Sequence, residues 1–328
     1  MAFWSAWRVE SGQRDQLSDW RVSGALDDQA WQRAQSLAGR WPSAQAWRGF
    51  LEHLSLWLAV ALLAAALICF IAANWDQLGR FARLYGAQLA LVIVVALAWR
   101  FRLDRPAGQA ALLLAGVLLG GVLALIGQTY QTGADTWQLF ALWAALLVPW
   151  TLAGASMPMG LLWATVANTA VWLYLAEIAR EPIMPWALSG LFNLGLFIAW
   201  SVLADRVPAL RGGTGPRLLA AAALAASSVA ALLDIIDSPA RTSAGLLVWF
   251  LAIAAIGLCA WRWRRDLVIL ALVALSVIVV DTCLAARALF AVGGIETGAM
   301  LILALLVIGQ ASAASMLLRR LGSSGALP

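Results

Sequence analysis

The sequence predicts an all-α, polytopic membrane protein with about ten transmembrane helices and a short helical head. Two observations carry this prediction. The 328 residues are 63% hydrophobic and 12% charged, and a soluble domain could not cover so much apolar surface with so few charges. Residues 54–73 form an uninterrupted stretch without a formal charge, and at about 1.5 Å per residue its length matches the roughly 30 Å of a hydrocarbon core.

Residues 1–53 form the predicted cytoplasmic head. They carry six Arg and six acidic residues, and this neutral balance excludes the basic surface that binding to nucleic acid requires. Hydrophobic spacing predicts a short helix over 13–22. The Asp27 carboxylate can cap a second helix, over 27–41, by accepting hydrogen bonds from amides of its first turn. A third helix is predicted to start near Ser43 and to continue into the first span.

Further apolar stretches follow, and short polar turns separate them. Pro149 and Pro158 interrupt the apolar run over 137–176, and two spans with a tight turn at 155–158 fit this run better than one overlong helix. Because several connections have only a few residues, consecutive helices are expected to be antiparallel neighbours. The predicted spans are 54–73, 81–99, 107–127, 137–155, 157–176, 185–204, 217–234, 244–261, 267–286 and 297–318, and a short tail follows at 319–328.

The distribution of arginine predicts the orientation of these spans. No secretory signal precedes the first span, so the head is expected to stay in the cytoplasm. With that orientation the cytoplasmic segments hold 17 of the 22 basic residues, all of them Arg, and the opposite face holds five. Because cytoplasmic loops carry an excess of positive charge, both termini are predicted to be cytoplasmic.

Two polar motifs lie at the outer ends of consecutive predicted hairpins, after the first and third spans. They are Ala73-Asn74-Trp75, followed by Asp76, and Gly127-Gln128-x-Tyr130-x-x-Gly133-x-Asp135. With these motifs and the helical head, the chain resembles the bacterial predicted membrane proteins grouped as domain of unknown function 2157, most strongly from about residue 20 to 150. The resemblance implies a multi-span protein of the bacterial inner membrane with other small membrane proteins as partners, and it implies no mechanism.

The two outer motifs supply more hydrogen-bonding groups than their turns need. Because the first and third spans end on the same side, one hypothesis is that these side chains converge on one outer surface and form a binding site. The sequence favours the simpler interpretation of two capped turns, in which Asp76 pairs with Arg80 one helical turn away and the aromatic side chains lie at the level of the headgroups. The candidate residues are Asn74, Trp75, Asp76, Arg80, Gln128, Tyr130 and Asp135.

Polar side chains also occur inside predicted spans. Asp281 lies in the otherwise apolar stretch 267–286, five residues from its outer end, and an ionisable residue in a span is a functional candidate. The alternative is a structural role, in which Asp281 pairs with Arg287 or reaches interfacial water. Asn168 and Asn193 are predicted to join neighbouring helices by a hydrogen bond.

Several catalytic chemistries are missing from the sequence. The chain has one histidine, His53, so it has no zinc-type histidine pair, and no glycine-rich phosphate loop follows a strand. A Ser–His nucleophile would have to use His53, which lies on the opposite side from the outer motifs. We therefore expect no enzymatic activity, no cofactor and no metal site.

Two classes of function remain. The first is an envelope accessory or scaffold component, whose partners are the lipid bilayer and other small membrane proteins. The second is a secondary transporter of small solutes, because ten spans can divide into two inverted halves of five. The outer motifs have no counterparts in 185–318, so the accessory class is favoured slightly. The sequence identifies no small-molecule ligand.

Overall fold

The computed structural model describes residues 17, 20, 25–38, 44–73, 79–131, 133–237, 244–261, 266–293 and 297–324. Within these ranges the chain forms eleven α-helices and one short 3-10 turn at Pro208–Leu210, and no strand. The predicted all-α fold is therefore confirmed. The helices are α1 (Asp28–Ala38), α2 (Ala44–Ala73), α3 (Arg80–Arg100), α4 (Pro106–Tyr130), α5 (Thr136–Gly154), α6 (Met157–Ile178), α7 (Ile183–Arg206), α8 (Thr214–Asp237), α9 (Ala244–Cys259), α10 (Leu267–Gly293) and α11 (Thr297–Ser324).

Most of these helices have the length and composition of membrane spans. Among the described helices, nine are long and apolar enough to cross a bilayer, which requires about 20 mostly apolar residues. The tenth candidate, α9, has 16 residues, and Ala260 and Trp261 continue it as a wider π-type turn. The division into a head, ten spans and a tail remains a prediction.

The amino-terminal helices begin where local chemistry predicts. The Asp27 carboxylate accepts a hydrogen bond from the Ala30 amide at 2.6 Å, which satisfies one of the free donors of the first turn of α1. The 30 residues of α2 form one continuous helix from Ala44 to Ala73. Of the helix predicted over 13–22, only Leu17 and Trp20 lie within the described residues, and both are helical.

The chain divides into two compact units, residues 1–118 and 119–328. In the first unit, the turn between α3 and α4 is built around Arg102, whose φ is +67°. The Arg105 amide donates to the Arg102 carbonyl at 3.1 Å. A Cβ on Gly108 would lie 2.0 Å from the same carbonyl oxygen, so this turn requires glycine at the start of α4.

In the second unit, a tight turn separates α5 from α6. Gly154 ends α5, and Ala155 follows with φ 38° and ψ 41°, a left-handed conformation that is common at helix ends. Ser156 then precedes α6, and Pro158 occupies its first turn, where proline costs no hydrogen bond. Pro149 lies inside α5. The 137–176 run is thus two helices, as the prolines predicted.

Helix α8 packs against α7, α9 and α10, and α11 packs against α10. The buried core of these helices includes Phe197 of α7, Ala220 and Ala223 of α8, and Ile256 of α9. The small side chains of α8 allow close approach, since a Cβ on Gly190 would lie only 3.1 Å from the Ser227 backbone nitrogen.

The first turn of α8 and the start of α10 are joined by an ion pair. The Arg217 Nε atom donates to both carboxylate oxygens of Asp266, at 2.9 and 3.2 Å. Asp266 also accepts from the Val268 amide at 3.0 Å, so it caps the start of α10. Helix α10 begins at Leu267 and continues to Gly293, beyond the 267–286 predicted as its membrane span. This extension places Asp281 near the middle of the helix.

Candidate functional site

The outer-motif residues of the first unit are described only in part. Asn74, Trp75 and Asp76 lie outside the described residues. Arg80 is the first residue of α3 and is exposed. Its guanidinium carbon lies 5.0 Å from the centroid of the Phe81 ring, a cation–π contact that orients the side chain.

The outer-motif residues of the second unit lie at the connection between α4 and α5. Gln128, Tyr130 and Asp135 are all exposed. The Gly133 φ of +64° is a conformation that favours glycine. The Asp135 carboxylate makes no capping bond to the backbone of α5 and instead accepts from Gln138 Nε2 at 3.3 Å. The described part of this connection thus leaves its polar side chains accessible.

Convergence of the two outer motifs on one surface remains a prediction, and cross-linking tests it. We expect cysteine pairs between 74–80 and 128–135 to react with a short bifunctional reagent. The outer ends of the first and third spans should lie about 20 Å apart at most, because one short hairpin separates them. The cysteine pairs are introduced into a variant of the protein that lacks Cys69, Cys259 and Cys283. A pair joining 74–80 to the 101–105 turn is the negative control. If every outer pair fails to react in folded protein, the motifs are two separate turns.

Asn168 and Asn193 join α6 to α7, as predicted. Asn193 Nδ2 donates to Asn168 Oδ1 at 2.6 Å and to the Ser189 carbonyl at 2.9 Å. Asn168 Nδ2 donates to the Ala164 carbonyl at 2.9 Å. Such amide bonds hold helices together in lipid by about 1 kcal/mol, so this pair is a packing device.

A second buried network, which the sequence analysis missed, joins α8, α9 and α10. The Ser228 and Ser276 hydroxyl oxygens are 2.8 Å apart, and Trp249 Nε1 donates to Ser276 Oγ at 2.9 Å. All three side chains are buried. The serines within apolar helices were the only sign of this network in the sequence. Their partners could not be identified, because they depend on the rotation of each helix about its own axis.

Asp234 has a structural role that the sequence analysis also missed. It is 5% exposed, and its Oδ2 atom accepts from the Leu246 amide at 3.0 Å. A carboxylate of α8 therefore caps the first turn of α9, where its charge also complements the helix dipole. Gly245 makes this contact possible, because a Cβ there would lie 2.3 Å from the Ala230 carbonyl oxygen.

Asp281 lies on the exposed surface of α10 and has a partner that was not predicted. Gln310 Nε2 of α11 donates to Asp281 Oδ2. Arg287, one of the two alternatives considered above, donates to the Ile235 carbonyl of α8. The Gln310 carbonyl oxygen is buried and has no hydrogen-bond partner among the described residues.

Within the part of the chain that the structure describes, no three His, Cys, Asp or Glu side chains lie close enough to hold a metal ion together.

These helices and their internal polar pairs define a polytopic α-helical membrane protein in a lipid bilayer. The family described as "Predicted membrane protein (DUF2157)" matches residues 18–160, which confirms the resemblance inferred from the two motifs. The match ends near the start of α6, so Asp234, Asp281 and Gln310 lie beyond it. No curated protein and no solved structure matches the chain.

Proposed function

We propose that this protein is an accessory component of the bacterial inner membrane that binds other membrane proteins. The observation that carries the proposal is the position of Asp281, which is exposed on a helix with the length and composition of a membrane span. A charged side chain facing hydrocarbon costs several kcal/mol, so such groups normally face protein or water. A partner protein that covers this surface would remove the cost.

The contacts inside the second unit favour this function over a carrier. A carrier holds its substrate and ions through polar groups that line a cavity at mid-membrane. In the part of the unit that the structure describes, Asn193 bonds to Asn168, Ser276 bonds to Ser228, and Asp234 caps α9. Each of these buried groups makes at least one hydrogen bond to a neighbouring helix, whereas Asp281 is exposed.

We place both termini in the cytoplasm. The 17 arginines of the predicted cytoplasmic segments, against five on the other face, support this orientation. The single histidine, His53, supports a protein without enzymatic activity or cofactor.

Photo-cross-linking in living cells tests the accessory function. A photoreactive amino acid at Ser315, on the α11 face near α10, is expected to give a discrete protein adduct in a bacterium that expresses the full chain. The matched control is the same amino acid at Leu247, a 67% exposed position of α9, where we expect no adduct. An adduct between two copies of the chain would have twice the 35.0 kDa mass of one chain. The mass of the observed adduct must therefore differ from that value. Absence of a protein adduct at Ser315, or equal adducts at both positions, would contradict the proposal.

A further inference from the structure

We infer that the α10–α11 face accepts a transmembrane helix of another protein that carries a basic side chain, and that this side chain pairs with Asp281. The inference rests on the proposed function and names the chemistry of the partner. Three observations support it: the depth of Asp281, the shortage of hydrogen-bond donors around it, and the shape of the surface beside it.

The depth of Asp281 follows from the inner end of α10. Asp266 and Arg217 form an ion pair there, and we take this charged pair as the inner boundary of the hydrocarbon core. Asp281 follows Leu267 by 14 residues, or about 21 Å along the helix axis. It therefore lies about 9 Å inside the far boundary of a 30 Å hydrocarbon core. At that depth a carboxylate needs a protein partner or a proton.

The described residues leave the Asp281 site short of donors. The two carboxylate oxygens of Asp281 have one described donor, Gln310 Nε2, which reaches Oδ2. A further hydroxyl or amide would add one or two donors and no charge. A lysine ammonium brings three donors and an arginine guanidinium five, together with the positive charge that offsets the carboxylate. The partner helix should therefore carry Lys or Arg.

The surface beside this pair fits a helix. An open groove of about 550 Å³ lies between α10 and α11, and it extends from the inner end of both helices to within one turn of Asp281. Small side chains on the facing helices permit close approach of backbones in lipid. The small residues that line the groove are Ala271, Ala274, Ala311, Ala314 and Ser315.

A second copy of this chain is a poorer occupant. Two copies in one membrane have the same orientation, so equivalent residues lie at equal depth. Arg287, the nearest arginine along α10, follows Asp281 by six residues, about 9 Å, and donates to the Ile235 carbonyl. A symmetric contact between two α10–α11 faces would bring a second Asp281 to the site rather than a cation.

A model-peptide titration tests this inference. The full chain, in a variant that lacks Cys69, Cys259 and Cys283, is reconstituted in lipid vesicles. A dye is attached to the cysteine of the substitution Arg320→Cys. The probe is a labelled leucine–alanine peptide of about 23 residues with one lysine about six residues from its outer end. We expect energy transfer at a peptide concentration at least tenfold below that needed by the same peptide with leucine in place of lysine. A third peptide, with its lysine at the terminus and therefore in the headgroup region in either orientation, is expected to bind no better than the leucine peptide.

Variants of Asp281 decide the result. Asp281→Asn should abolish the tenfold preference, while Asp281→Glu should retain it. Asp281→Lys should transfer the preference to a peptide with glutamate at the same position, which keeps the test informative if one variant folds poorly. Ala314→Leu should weaken all peptides by filling the groove. Any one of the following results would overturn the inference. The lysine and leucine peptides bind equally, or the Asp281→Asn variant keeps the preference for lysine. Alternatively, this face cross-links to residues 1–118 or to a second copy of the chain. A cellular protein adduct at Ser315 without a lysine preference would overturn this inference alone and leave the accessory function standing.

Discussion

Replacing Gly245 with alanine is expected to destabilise the protein by about 4 kcal/mol, a larger effect than most single substitutions have. The new Cβ would lie 2.3 Å from the Ala230 carbonyl oxygen and 2.9 Å from Asp234 Oδ2. The Ala230 oxygen belongs to the backbone of α8 and cannot rotate away, so α9 must move. Overpacking of this kind costs about 1–3 kcal/mol. The shift also breaks the bond from the Leu246 amide to Asp234, which leaves a buried carboxylate without its donor at a similar cost.

SDS-induced unfolding of the protein in mixed micelles, followed by tryptophan fluorescence, measures this effect. Gly257→Ala is the matched control, because Gly257 is in the same helix and the nearest atom to its added Cβ is Val273 Cγ1 at 3.8 Å. We expect this control to stay within about 0.5 kcal/mol of the parent protein. Equal unfolding midpoints for the two variants would show that α9 does not pack on α8 as the structure has it.

The sequence is sufficient to predict the elements that depend on local chemistry. An apolar run of about 20 residues has no stable alternative to a helix in lipid, so the fold class follows from composition. The Asp27 cap and the break near Pro158 are local as well, since each depends on residues within one or two turns. These features were predicted because no knowledge of helix packing is needed to derive them.

The partners of the buried polar groups could not be predicted in the same way. Asp234 and Leu246 are 12 positions apart, and Asp281 and Gln310 are 29 positions apart. Their contacts depend on the rotation of each helix about its axis, which hydrophobic patterns fix poorly when all faces are apolar.

Helix α10 is longer than the span predicted for it. The predicted span 267–286 ends one residue before Arg287. The helix continues because a long arginine side chain can reach back along the surface, in this case to the Ile235 carbonyl. The hydrogen-bond partner of Asp281, Gln310, belongs to another helix, so a functional interpretation of Asp281 requires the structure.

Replacing Gly108 with alanine is expected to disrupt the hairpin of α3 and α4. The added Cβ would lie 2.0 Å from the Arg102 carbonyl oxygen and 3.2 Å from the Ala98 carbonyl oxygen. Both are backbone atoms, so relief requires the 101–107 turn to change its path. Arg102 already occupies the left-handed region, where a non-glycine residue costs about 1–2 kcal/mol, and the turn has little freedom to adjust. We expect a loss of about 3 kcal/mol or more, measured as faster proteolysis within the turn and a lower SDS midpoint.

Three control substitutions separate this clash from other causes. Gly86→Ala adds a methyl group to α3 with no atom within 4 Å, and it should have little effect. Arg102→Gly should be tolerated, because glycine adopts the left-handed region freely. Asp104→Asn removes the carboxylate that accepts from Arg102 Nε at 3.2 Å, and both side chains are exposed, so the midpoint near neutral pH should barely change.

The Asp104 control also has a predictable pH dependence. The hydrogen bond from Arg102 holds the pKa of the Asp104 carboxyl below its usual value. The contribution of this pair is therefore present above the ordinary carboxyl pKa and is lost as the pH falls through the lowered one. The Gly108 clash involves no titratable group, so its effect on the midpoint should be the same at both ends of that range. An effect of Gly108→Ala that changed with pH as the Asp104 pair does would mean that the ion pair, and not the glycine, holds the turn.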